Sequence, residues 1–118
     1  MMAVEYSFAH VGLHCEDAGH CAAAVEAFQK AFGFPAFDVG NSVIVAGPME
    51  LTKSLPNAAV GHIGIACPDV AEAIEDLKDK GFAVDESTIQ TMPDGRIQSV
   101  YLRDTFGGFA CHLLQKRS

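Results

Sequence analysis

The segment Ala9-His10-Val11-Gly12-Leu13-His14-Cys15 returns as Gly61-His62-Ile63-Gly64-Ile65-Ala66-Cys67, with histidine, glycine and cysteine in the same register. Such a recurrence marks an internal duplication and restricts the chain to two copies of one small unit. Each copy opens on a strand-like run, continues into a helical stretch that ends in Gly-Phe, at Gly33-Phe34 and Gly81-Phe82, and finishes with three shorter strand-like runs. The expected fold is α+β: two tandem strand-helix-three-strand (βαβββ) modules forming a curved, cleft-bearing sheet with helices on the outer face. Module one spans about 6–54 and module two about 60–116 of a single domain.

Strand parity separates the residues of each opening run, because successive side chains point to opposite faces. His10 and His14 share one face, while Val11, Leu13 and Cys15 take the other; His62 is likewise set against Ile63, Ile65 and Cys67. The first helix is predicted from Asp17 or Ala18 to Phe32, with Val25, Phe28 and Phe32 at helical spacing and Gly33 as its stop. The second starts at a cap on Asp69, with Glu72 three residues on, a stripe of Val70, Ala73, Ile74 and Leu77, and an end at Gly81. Both helices should cover the apolar side of the strands and leave the histidine side open. Gly40-Asn41, Gly47-Pro48 and Pro93-Asp94-Gly95 divide the remaining strands at turns. These strands run from Phe34 to Val39, Ser42 to Ala46, Met49 to Lys53, Phe82 to Thr91 and Arg96 to Arg103, with a last one after Gly107-Gly108. The stretch from Ser54 to Ala59, with Pro56 and Asn57, reads as the linker between copies.

A chain of 118 residues with 49% hydrophobic and 19% charged residues can bury one core. Its net charge of −7 disfavours nucleic acid as a partner, since phosphate backbones are held by clustered lysine and arginine. No run approaches the roughly 18 apolar residues that span a bilayer, so no membrane association is expected and the protein reads as soluble and cytoplasmic. Cys15, Cys21, Cys67 and Cys111 form no Cys-x-x-Cys pair and read as small core hydrophobes rather than disulfides.

Four ligand-capable residues stand at repeat-related positions: His10 and His62 in the first strands, Glu50 and His112 before a leucine in the last strands. Imidazole nitrogen and carboxylate oxygen suit zinc, nickel, cobalt, manganese or iron(II). With one carboxylate and three neutral imidazoles, a divalent ion would keep about one net positive charge and favour anions. His14 has Ala66 as its repeat counterpart and is read as a substrate wall; His20 is read as a solvated residue at a helix start. The competing reading is a small α+β domain whose histidines merely satisfy backbone groups.

The duplicated module, with its His-Val-Gly and His-Ile-Gly openings, resembles the vicinal oxygen chelate superfamily across essentially the whole chain. That superfamily includes glyoxalase I, methylmalonyl-CoA epimerase, extradiol dioxygenases and antibiotic resistance proteins. The resemblance implies metal ligands at His10, Glu50 and His62, and a fourth where a glutamate is usual and His112 stands here. A one-residue shift would put Cys111 at that place, although Cys111 repeats the core parity of Cys15 and Cys67. The stretches Phe8-Ala9-His10-Val11-Gly12, Gly40-Asn41-Ser42, Gly61-His62-Ile63 and Gly107 to Leu113 further resemble a domain associated with bacterial 2-keto-3-deoxy-6-phosphogluconate and 4-hydroxy-2-oxoglutarate aldolases. The implied activity is that of a glyoxalase-like isomerase, epimerase or lyase in which a small anionic 2-oxo or 2-hydroxy acid chelates the metal through two oxygens, with Glu50 as a candidate base. The implied alternative is a non-catalytic small-molecule-binding or aldolase-accessory module. Relatives of this type often form homodimers.

Overall fold

The computed structural model describes residues 4–54 and 60–116, so the predicted linker, apart from Ser54 at its start, lies outside the described residues. Ten elements follow one another: β1 (Ser7–His14), α1 (Ala18–Phe32), β2 (Ala36–Asp38), β3 (Ser42–Val45), β4 (Met49–Thr52), β5 (Gly61–Cys67), α2 (Val70–Asp79), β6 (Val84–Thr91), β7 (Ile97–Phe106) and β8 (Phe109–Gln115). The order is βαβββ twice, in an α+β fold. The chain divides into one unit of His10–His62 and another formed by residues 4–9 and 63–116 among those described.

In the His10–His62 unit the strands lie in the order β2-β3-β4-β1, antiparallel except that β1 and β4 run parallel. A parallel neighbour needs a long crossover, and α1 supplies it. The helix starts where it does because Asp17 caps it, its carboxylate accepting the His20 backbone N–H at 2.8 Å. It stops at Gly33, whose φ of 70° is a left-handed conformation that costs glycine little. Cys21 of α1 packs into a core with Cys15, Val43, Val45 and Leu51, flanked by Val25 and Phe28. The opposite face of the same strands carries His10, Gly12, His14, Ser42 and Glu50, as two-residue alternation requires.

Ser42 is an exception on that face. It is 2% exposed, and its Oγ has no hydrogen-bond partner among the described residues. A buried unsatisfied hydroxyl costs about 1–3 kcal/mol, so Ser42→Ala should raise the urea midpoint, by about 1 kcal/mol of stability. An unchanged or lower midpoint would mean that the hydroxyl is satisfied in solution.

The second unit orders its strands β5-β8-β7-β6, with β6-β7 and β7-β8 antiparallel. Asp69 caps α2 by accepting the Glu72 N–H at 3.2 Å, and α2 ends at Lys80, just before Gly81 with φ of 92°. Cys67, Val70, Ala73, Val100, Leu102 and Leu113 form the core of this unit. Strand β7 runs past its expected end at Arg103 to Phe106, because Thr105 pairs with Ala110 and Phe106 with Phe109 around the Gly107-Gly108 turn. All four cysteines are buried thiols, and burial pushes the Cys67 thiol up to about 11.

Candidate metal centre

Period-two alternation in β1 places His10, Gly12 and His14 on one face, and the parallel register sets Glu50 directly beside Gly12. Gly12 has no side chain, and the imidazole of His62 occupies the space one would take. A Cβ at Gly12 would stand 2.0 Å from His62 Cε1 and 2.3 Å from its Nδ1. The ring is therefore seated on the bare backbone of β1, and His62 is only 4% exposed.

Three side chains converge on that ring. His10 Nε2 lies 3.1 Å from His62 Nε2, and Glu50 Oε1 lies 3.3 Å from the same nitrogen. His14 Nε2 lies 2.7 Å from His62 Nδ1, on the other side of the imidazole. The His10 and His62 rings meet edge to face at 5.1 Å, whereas His14 and His62 are tilted by 41° at 5.0 Å. Burial and then the neighbouring His62 lower the pKa of His10, against an opposing pull from Glu50. His10 is thus held as the neutral imidazole that can act as a ligand.

The donor spacing bears directly on whether a metal fits. Bonds of about 2.0–2.2 Å from a divalent ion to nitrogen and oxygen put adjacent donors roughly 3–3.5 Å apart. The separations of 3.1 Å and 3.3 Å from His62 Nε2 to His10 and Glu50 fall inside that window. Hydrogen-bond pairing alone accounts less well for two ring nitrogens and a carboxylate oxygen meeting at one point, since a single Nε2 proton has two acceptors to serve.

The expected residues fall as follows. His10, Glu50 and His62 come together within the His10–His62 unit, and His14 joins them as a buried partner of His62, 7% exposed. His112 sits on β8 in the other unit, half-buried, opposite Tyr101 in register, with the two rings stacked at 4.7 Å. His20 is exposed, and its Nδ1 accepts the Glu16 N–H at 3.1 Å. Sequence reasoning missed Ser42, which with Asn41, Glu50, Thr52 and Ser54 lines a polar hollow of about 120 Å³. The sequence sets Ser42 at the start of the strand after the Gly40-Asn41 turn and in a stretch shared with the aldolase-associated domain, and neither signal gives its facing.

No family model matches this chain, and no curated protein matches it. Solved structures do. A variant of Streptomyces coelicolor methylmalonyl-CoA epimerase in complex with 2-nitronate-propionyl-CoA is similar at 19% identity over 94% of this chain and 97% of that one, with a TM-score of 0.63. Methylmalonyl-CoA epimerase from Mycobacterium tuberculosis is similar at 14% identity over 100% and 94%, with a TM-score of 0.65. A hypothetical protein from Bacillus halodurans C-125 is similar at 14% identity over 97% and 96%, with a TM-score of 0.68. At these identities the likeness is one of fold: the chain has the fold of these solved structures, methylmalonyl-CoA epimerases among them, with βαβββ twice in order.

Proposed function

We propose that this chain is a glyoxalase-like, metal-dependent isomerase, epimerase or lyase acting on a small 2-oxo or 2-hydroxy acid. The observation that carries the reading is the donor spacing around His62 Nε2, 3.1 Å to His10 Nε2 and 3.3 Å to Glu50 Oε1. His10, Glu50 and His62 would hold the ion. His112 is proposed as the fourth ligand from its repeat position alone, since it and Glu50 both precede a leucine in the last strand of a module. When bound, a divalent ion supplies a Lewis acid for two adjacent substrate oxygens.

The chain's own residues supply the rest of the chemistry. The lowered pKa of His10 keeps a lone pair available at neutral pH. His62, seated on Gly12, excludes water from beneath the site. Glu50, whose side chain is 31% exposed, is the group we assign to accept a proton from the carbon beside a carbonyl, a role open to it only when its carboxylate leaves the ion. Similar structures support epimerisation among the three reaction types, because methylmalonyl-CoA epimerases are seen with methylmalonyl-CoA and with 2-nitronate-propionyl-CoA. The aldolase association rests on the stretches Phe8 to Gly12, Gly40 to Ser42, Gly61 to Ile63 and Gly107 to Leu113 alone.

Elemental analysis of protein grown with supplemented metals, followed by zinc calorimetry, tests the reading. About one ion per chain is expected. Pyruvate should then bind the loaded protein more tightly than a neutral diol, as a site with residual positive charge requires. Persistent absence of metal would leave the fold with a non-catalytic binding or accessory role. Light scattering of the same preparation reads whether the chain pairs with a second copy.

A further inference from the structure

The geometry points to His14 as a positioning residue that, when a metal occupies His62 Nε2, accepts the proton His62 then carries on Nδ1 and so holds the ring with its Nε2 lone pair toward the ion that His10 and Glu50 would share. The inference rests on the metal-site reading above and adds a residue that the repeat does not supply, since the counterpart of His14 is Ala66.

Two imidazole nitrogens 2.7 Å apart must share one proton, because two lone pairs would repel at that distance and two N–H groups would collide. Either His62 Nδ1–H donates to His14 Nε2, or the reverse. The two choices have different consequences at the far side of the His62 ring. A neutral ring carries one proton, so Nδ1–H leaves Nε2 bare, whereas an accepting Nδ1 forces the hydrogen onto Nε2 and closes that nitrogen to a metal. A metal on His62 Nε2 requires the first choice, and His14 is held where it can accept that proton. It is 7% exposed, it stands on the same face of β1 as His10, and its backbone N–H is tied at 3.2 Å to the Val60 carbonyl, two residues before His62. The segment that carries His62 and the ring that orients it are thus pinned by one residue. Burial makes the arrangement costly to abandon, because a His62 Nδ1 without its partner would be a polar atom held away from water.

The test uses the full chain and two variants, His14→Leu and His14→Gln. Leucine removes the acceptor and keeps bulk; glutamine returns an oxygen close to the place of the imidazole Nε2. Calorimetry with zinc chloride should show affinity reduced about 10–100-fold in His14→Leu, with most of it restored in His14→Gln. Long-range ¹H–¹⁵N correlation spectra of the zinc-loaded wild type should show His62 protonated at Nδ1, with a ring proton protected from exchange. That proton should disappear in His14→Leu and return in His14→Gln. Wild-type zinc affinity in His14→Leu, or a His62 ring pattern indifferent to residue 14, would overturn the inference. If the wild type takes up no zinc, the metal reading fails by itself. The ring spectrum of the metal-free protein then decides the rest: a protected proton shared between His14 and His62 supports the pairing, and its absence overturns it.

Discussion

If the proposed metal reading holds, replacing Gly12 with alanine is expected to weaken zinc binding sharply, and in any case to cost about 1–3 kcal/mol of stability, the usual range for overpacking. A single methyl group has this effect because of where it lands. The added Cβ would stand 2.0 Å from His62 Cε1, 2.3 Å from Nδ1 and 2.6 Å from Nε2, so the whole imidazole is in the way rather than the tip of a flexible chain. The backbone cannot give much, since β1 is paired with β4 through Gly12 and Glu50. The ring must leave. As it moves it gives up His14 at 2.7 Å, His10 at 3.1 Å and Glu50 at 3.3 Å together. The fall in zinc affinity should therefore exceed the roughly 10–100-fold that supporting partners of a metal ligand usually contribute. Chemical denaturation and zinc calorimetry on the same preparation check both halves. Retained affinity in Gly12→Ala would show that His62 is not held where the structure puts it.

The sequence made some of this arrangement readable and hid the rest for definite reasons. The repeat gave the βαβββ order, and the local chemistry of Asp17, Gly33 and Asp69 gave both helix starts and one helix end, because caps act over three or four residues. Parity alone assigned His10 and His14 to one face. Glu50 stands out by its repeat position, but the register that sets it beside Gly12 was not readable, since that parallel pairing closes a long loop and leaves no local signal. His14 was hidden differently. With Ala66 as its counterpart it fell outside the symmetry that marked the others, and only the seating of His62 on Gly12 brings their nitrogens together. The far end of β7 was missed because Asp104, Thr105 and Phe106 are all exposed and show no alternation; the two glycines that follow fold the hairpin instead.

Leu51→Ala is expected to destabilise the protein by about 2–5 kcal/mol and to weaken zinc binding from the opposite face of the sheet. Leu51 is fully buried among Cys15, Cys21, Val43 and Val45, with α1 covering it. Truncation loses the transfer free energy of the removed carbons and leaves a cavity that a sheet paired on both sides of β4 closes only in part. Against the 5–15 kcal/mol that typically separates folded from unfolded domains, that is a large share. Its reach into the site follows from alternation: Glu50 is the preceding residue on β4 and faces the other way, so any inward shift of the strand to fill the cavity carries its carboxylate away from His62 Nε2. Leu51→Met keeps the volume, should cost under about 1.5 kcal/mol, and should leave zinc affinity close to that of the wild type. Urea unfolding of both variants, with zinc titrations alongside, separates the two effects. A Leu51→Ala protein as stable as Leu51→Met would mean that α1 does not close tightly on this face, and the rigidity of the Glu50 position would lose its physical basis.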